Sequence, residues 1–240
     1  MYDVVKRLVG KMIVSCQAYE DTPLYGPEYM KAMAASVVMG GAGGVRACWP
    51  QDIKAIRTVC DKPIIGIYKD FADGDPLDSV FITAKYEHAK AVIEAGADIL
   101  GMDCTIRPNR DLKELLKLID KIRTDYPNIP IMADLSTVEE GVALAESGMV
   151  DIISSTLNGY TRHSLKDKGE GPNCHMVREL KERISLPVNA EGRIWTLEDL
   201  ESVIEAGADM VTVGTAITRP HLITERFVKC YESTLDKMRK

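Results

Sequence analysis

The segment AVIEAGADILGMD at 91–103 returns as SVIEAGADMVTVG at 202–214 and, more loosely, as ALAESGMVDIISS at 143–155. Each copy reads as the end of a helix, a glycine and then an apolar strand. Gly96, Gly207 and Gly148 fall just past a helix C-terminus, where a positive φ closes the last turn and the strand follows at once. The stretch VVMGGAGGVRA, with Gly40 to Gly44, makes the same joint after an earlier helix. A unit of helix, glycine and strand repeated through the chain predicts an alternating β/α architecture.

Working outward from these joints, apolar runs of strand length occur at 12–17, 44–49, 63–69, 98–103, 129–135, 151–156, 187–192 and 209–214. Between them lie stretches such as DLKELLKLIDKIRTDY (111–126) and NCHMVRELKERI (173–184), whose apolar residues recur every three or four positions, as on one helix face. Eight short, unalternating strands separated by helices predict a parallel sheet closed on itself, a single-domain (β/α)8 TIM barrel over residues 1–240. The length agrees, since such barrels run to about 250 residues as one unit. An open doubly wound sheet is the competing architecture. It would carry a glycine-rich turn after its first strand, whereas GGAGG here precedes a strand.

Composition narrows the function classes. With 45% hydrophobic residues the chain can bury a sizeable core, and 30 Lys and Arg against 36 Asp and Glu leave a net charge of −6. An acidic balance spread along the chain, with only 3 Phe and 2 Trp, argues against nucleic-acid partners, which need a basic patch or stacking platforms. No apolar run reaches membrane-spanning length, and the opening MYDVVKRLVGK lacks a secretory pattern, so a soluble cytoplasmic protein is expected. Cys16, Cys48, Cys60, Cys104, Cys174 and Cys230 are scattered, with no C-x-x-C pair or zinc spacing, and read as buried reduced thiols.

In such a barrel the chemistry sits at the C-terminal strand ends. The polar residues there are Gln17, Arg46, Lys69, Asp103, Asp134, Asn158, Glu191 and Arg219, in strand order. After strand eight the chain reads VGTAITRPH, where Gly214 and Thr215 can turn backbone N–H groups on an anion, Arg219 supplies charge and Pro220 suits the start of a helix. With Gly192 and Arg193 of the EGR after strand seven, this matches the phosphate site that many barrels build from their last two loops. His88, His163, His175 and His221 all fall in helices or loops, so no metal constellation is expected, although His163 lies in a long loop that could reach a substrate.

With these residues placed, the sequence resembles the N-acetylmannosamine-6-phosphate 2-epimerase family over nearly its whole length. The carrying segments are SCQA (15–18), GVRA (44–47), PIIGIYKDF (63–71), MADLST (132–137), STLNGYT (155–161), NAEGRIWTLED (189–199) and VGTAITRP (213–220). Tyr68 and Asp70 beside the lysine, and Trp195 after EGRI, depart from the family pattern. The resemblance implies a cofactor-independent enzyme of sialic acid and amino-sugar catabolism that interconverts N-acetylmannosamine 6-phosphate and N-acetylglucosamine 6-phosphate, usually as a homodimer. It implies Lys69 and Glu191 as the proton-transfer pair, and Gln17, Arg46, Asp134 and Arg219 as substrate contacts.

The residue types suit that chemistry. In the open-chain sugar, C2 lies beside the C1 aldehyde, so a positioned base can remove its proton and return it to the other face. A lysine base must be neutral, and neutralising it at pH 7 from a reference pKa near 10.4 costs about 4.6 kcal/mol, so burial or a neighbouring cation such as Arg46 is expected to help. Glu191 could be the partner acid or could serve ring opening. Another phosphosugar isomerase or synthase on the same barrel, and a non-catalytic sugar-phosphate sensor, are the alternatives; a lysine base has no use in a pure binder.

Overall fold

The computed structural model describes residues 1–71 and 74–239. The expected strands are all present, trimmed by a residue or two at their ends: β1 (Met12–Cys16), β2 (Gly44–Cys48), β3 (Ile64–Ile67), β4 (Ile99–Asp103), β5 (Ile131–Asp134), β6 (Ile152–Ser154), β7 (Val188–Glu191) and β8 (Met210–Val213). They pair in sequence order, all parallel, and β8 returns to β1 to close the barrel. The helices are α1 (Asp3–Lys6), α2 (Pro27–Met39), α3 (Pro50–Arg57), α4 (Tyr86–Glu94), α5 (Leu112–Asp125), α6 (Val138–Ser147), α7 (Cys174–Arg183), α8 (Leu197–Glu205), α9 (Thr215–Thr218) and α10 (Pro220–Met238).

Local chemistry accounts for the helix ends. Asp111 caps α5 through the Glu114 amide while Glu114 reaches back, and Thr137/Glu140 and Thr196/Asp199 build the same reciprocal box on α6 and α8. On α5, Leu115, Ile119 and Ile122 form the buried stripe. The repeated glycines do take positive φ, at 103° for Gly96, 67° for Gly148 and 97° for Gly207.

The repeat has a second working part. The aspartate that opens each repeated strand, Asp98, Asp151 or Asp209, accepts from a backbone N–H of the strand before it, Ile64, Ile131 or Val188, each at 2.8 Å. Each also pairs with a basic residue at or near the end of an outer helix: Arg57 with Asp98, Arg123 with Asp151 at 2.5 Å, and Lys181 with Asp209 at 2.6 Å. The same three-way tie therefore locks strand to strand and helix to sheet at three points on the barrel floor.

Two apolar layers result. Between sheet and helices runs the main core, while Ile13, Ile65, Ile99, Met132, Ile152 and Met210 fill the barrel bottom. Val5 and Leu8, in and just after α1, join this inner cluster and plug the barrel from below, an element that the strand and helix periodicities do not reveal. Among the described residues no helix is long and apolar enough to cross a membrane. The thiols of Cys16, Cys48, Cys60 and Cys104 are buried and Cys174 is half-buried, but Cys230 is exposed, contrary to expectation, because α10 buries none of its residues.

Candidate active site

Successive inward positions on a strand lie two residues apart, so each strand climbs from the apolar floor to the mouth in steps of two. On β6 the steps are Ile152, Ser154 and Thr156; on β8, Met210, Thr212 and Gly214. Above the isoleucine floor a polar layer is knit across the barrel: Thr212 donates to Asn189 Oδ1 at 2.9 Å, Asn189 Nδ2 donates to Ser154 Oγ at 2.7 Å, and the Ser154 and Thr156 hydroxyls share a bond of 2.8 Å.

Arg46 sits at this depth, 1% exposed. Its guanidinium grips Asp134 with both terminal nitrogens, at 2.6 and 3.0 Å, and Nη1 also donates to Glu191 Oε2 at 2.6 Å. Thr156 adds a 2.7 Å bond to Asp134 Oδ1. Burial opposes the charge on Arg46, but Asp134 and Glu191 outweigh it and hold the guanidinium firmly protonated. At Glu191 burial wins over the attraction of Arg46, and the negative Asp134 adds to it, so the carboxyl is pushed above the usual carboxylate range.

Over this cluster opens a pocket of about 400 Å³, within the range of small-molecule sites. Lys69, Glu191 and Gln17 line it, with Gly192, Arg193, Gly214, Thr215 and Arg219. Lys69 is steered inward where the chain leaves β3, by an antiparallel bridge between Lys69 and Ile82. Gln17 donates to Ser15 Oγ at 2.6 Å, and its buried Oε1 has no hydrogen-bond partner. Gly192 and Arg193 take left-handed φ of 114° and 57°, and the first turn of α9 leaves its leading amides without intrahelical acceptors.

Several expected residues are placed elsewhere or used differently. Arg46 and Asp134 lie beneath the pocket and do not line it; their charges are matched with each other and Glu191, so Arg46 is not a bare cation beside Lys69. The Arg193 guanidinium donates to the carbonyls of Asn158 at 2.6 Å and Gly171 at 2.8 Å, pinning the loop after β6, which leaves only its backbone for an anion. Asn158 belongs to the same loop frame: it donates to the Ser136 carbonyl at 2.9 Å and accepts from Asn173. Asp103 accepts from Thr105 and pairs with Arg107 and Arg110, shaping its own loop. His163 is exposed and away from the pocket. Among the described residues no group of three His, Cys, Asp or Glu side chains is placed to hold a metal.

Comparison with known proteins supplies the family. Residues 30–233 match the family model described as "Putative N-acetylmannosamine-6-phosphate epimerase". The chain belongs to this epimerase family. A relative from Caldanaerobacter subterraneus, named "Putative N-acetylmannosamine-6-phosphate 2-epimerase", is 42% identical over 94% of this chain and 93% of its own length. One of the same name from Clostridioides difficile is 40% identical over 97% of this chain and 99% of its own. The solved structure of the N-acetylmannosamine-6-phosphate 2-epimerase from Clostridium perfringens superposes with a TM-score of 0.85 at 35% identity, covering 95% of this chain and 96% of that one.

In this member of the epimerase family the two residues flanking the lysine face away from the site. Tyr68 stacks on His88, with centroids 4.3 Å apart, and Asp70 receives Lys85 at 3.3 Å. Trp195 lines the pocket beneath the Arg226 guanidinium, and Tyr160 lines it beside Arg193. Tyr19 and Thr156, which the strand-end reading passes over, also line it. Period-two counting from Ser154 would have found Thr156; Tyr19 carries the weaker signal of an aromatic two residues beyond Gln17.

Proposed function

We propose that this chain is a cofactor-independent epimerase that interconverts N-acetylmannosamine 6-phosphate and N-acetylglucosamine 6-phosphate at C2. The carrying observation is that Lys69 and Glu191, from strands three and seven on opposite sides of the barrel, line one pocket with Arg219 at its edge. Family membership and the names of the relatives support the acetamido sugar phosphate as substrate. Lys69 removes the C2 proton of the open-chain sugar and the proton returns to the opposite face. Glu191, kept towards its acid form by burial, is the partner acid at the developing enolate oxygen. Arg46, itself held by Asp134, fixes its carboxyl from below. The unpartnered Oε1 of Gln17 takes a substrate N–H or O–H. Arg219 and the backbone amides of Gly192, Arg193, Gly214 and Thr215 hold the phosphate. The enzyme works in the cytoplasm, in amino-sugar breakdown, as a homodimer.

The deciding experiment is turnover of N-acetylmannosamine 6-phosphate in heavy water, followed by NMR at low conversion. The product acquires deuterium at C2, unphosphorylated sugar reacts far more slowly, and Lys69→Ala is inactive yet folded, since a general base contributes about 10² to 10⁴ in rate. Label at C3 or C4, or a Lys69→Ala variant with more than about a tenth of the wild-type kcat, overturns the reading.

A further inference from the structure

Lys69 is held at both ends by aromatic side chains. Its carbonyl accepts from Trp49 Nε1 at 2.9 Å, and its ammonium donates to the Tyr19 hydroxyl oxygen at 2.7 Å. Tyr19 is itself braced: its ring meets Trp49 edge-on at 6.2 Å and Phe71 at 5.7 Å. The Arg219 guanidinium lies over the same ring, 4.6 Å from its centroid. One phenol thus touches both the lysine of proton transfer and the arginine of the phosphate end. Burial would push its pKa up, but Lys69 and Arg219 outweigh burial and hold it below the ordinary phenol value. A lysine has a long, freely rotating stem, whereas a tyrosine has two torsions and here a packed ring.

We propose that Tyr19 is a positioning residue for the epimerisation: its phenolic oxygen docks the Lys69 ammonium between proton removal and proton return. The inference rests on the reading of Lys69 as the proton-transfer group. In the first half-reaction the C2–H bond breaks, its proton forms the third N–H bond of Lys69, and the electron pair moves to the enolate oxygen at C1. The ammonium then donates to Tyr19, which fixes the nitrogen relative to the sugar. In the second half rotation about the C2–C3 bond turns the other face of the planar enolate to the docked nitrogen; one N–H bond breaks, C2–H forms on that face from the enolate electron pair, and the C1 carbonyl is restored.

Tyr19→Phe removes the oxygen and keeps the ring against Trp49, Phe71 and Arg219. Steady-state rates with N-acetylmannosamine 6-phosphate are expected to show kcat lower by about ten- to a hundredfold, the worth of one charge-assisted hydrogen bond, with KM within threefold. Tyr19→Leu, which takes away the platform under Arg219 as well, loses kcat to the same degree and raises KM. Wild-type kcat in Tyr19→Phe overturns the docking role, as does a loss of kcat/KM that lies in KM with kcat unchanged. Lys69→Ala assayed in parallel separates the two ideas: if it is inactive while Tyr19→Phe is normal, only the docking fails, and if it is active, the lysine reading itself fails.

Discussion

Arg46 carries one positive charge and meets two carboxylates, so the cluster under the pocket is neutral when one of them holds a proton. Glu191, the one that reaches the pocket and is pushed up by burial, is the better candidate for that proton. The strand-end reading found these residues but not their depth. Arg46 is in register with Ile65, four residues short of Lys69, so its side chain works a layer below the mouth. Tyr19 was beyond reach because its contact depends on where the loop after β3 returns, fifty residues on. A different buried acid gives a stability prediction. Asp52, in the first turn of α3, is 1% exposed, its Oδ2 has no partner, and burial pushes its pKa up to about 6. A folded pKa raised above the unfolded value means stability that is full below about pH 4 and is lost as pH rises towards about 6. Asp52→Asn should therefore be nearly neutral below pH 4 and gain about 2 to 3 kcal/mol at pH 8, because each pH unit separating the folded from the unfolded pKa is worth about 1.36 kcal/mol. In thermal melts that corresponds to roughly 5 to 10 °C, and an unchanged midpoint at pH 8 would show that the carboxylate is compensated.

At the scale of elements, the repeated segment reports more than a turn. Its glycine was legible because positive φ after a helix is a local demand, and all three glycines meet it. Its aspartate stands in the same three copies, but its work depends on a neighbouring strand and an outer helix twenty or more residues away, and no local propensity announces that. The strands were legible for the converse reason: both faces of a parallel barrel strand are covered, so it reads as an unbroken apolar run. Asp151→Ala removes a partly buried ion pair with Arg123 and leaves the Ile131 amide without its acceptor. The expected cost is about 2 kcal/mol, seen as a melting temperature roughly 4 to 8 °C lower with kcat unchanged, since the tie is on the floor, away from the pocket. Asp209→Ala should lose a similar amount, because its geometry is the same. A loss in one and none in the other would mean that the three ties are not equivalent.

For the whole molecule, each helix from α2 to α8 buries at least one apolar side chain against the barrel, and α10 buries none. It runs nineteen residues with none buried, while Phe227 and Tyr231 are 75% and 67% exposed. Ile223, Phe227, Tyr231 and Leu235 follow one another at intervals of four, which puts them on one face of the helix. Helices in proteins draw most of their stability from packing an apolar face, so a stripe of this kind needs cover. Leu197 and Ile204 on α8 are also uncovered, at 74% and 54% exposed. A second copy of the chain is the cover that fits the proposed homodimer: the stripe is apolar, as the core of a permanent interface is, and a symmetric pair places each helix against the other's uncovered surface. Sedimentation of the wild-type chain should give twice the single-chain mass at micromolar concentration. Phe227→Asp combined with Tyr231→Asp should shift it to the single-chain mass and lower its melting temperature, because a charge on each of two buried turns leaves carboxylates without partners. A wild-type chain that sediments as a single copy, or a double variant that stays at twice the mass, would remove α10 from the interface.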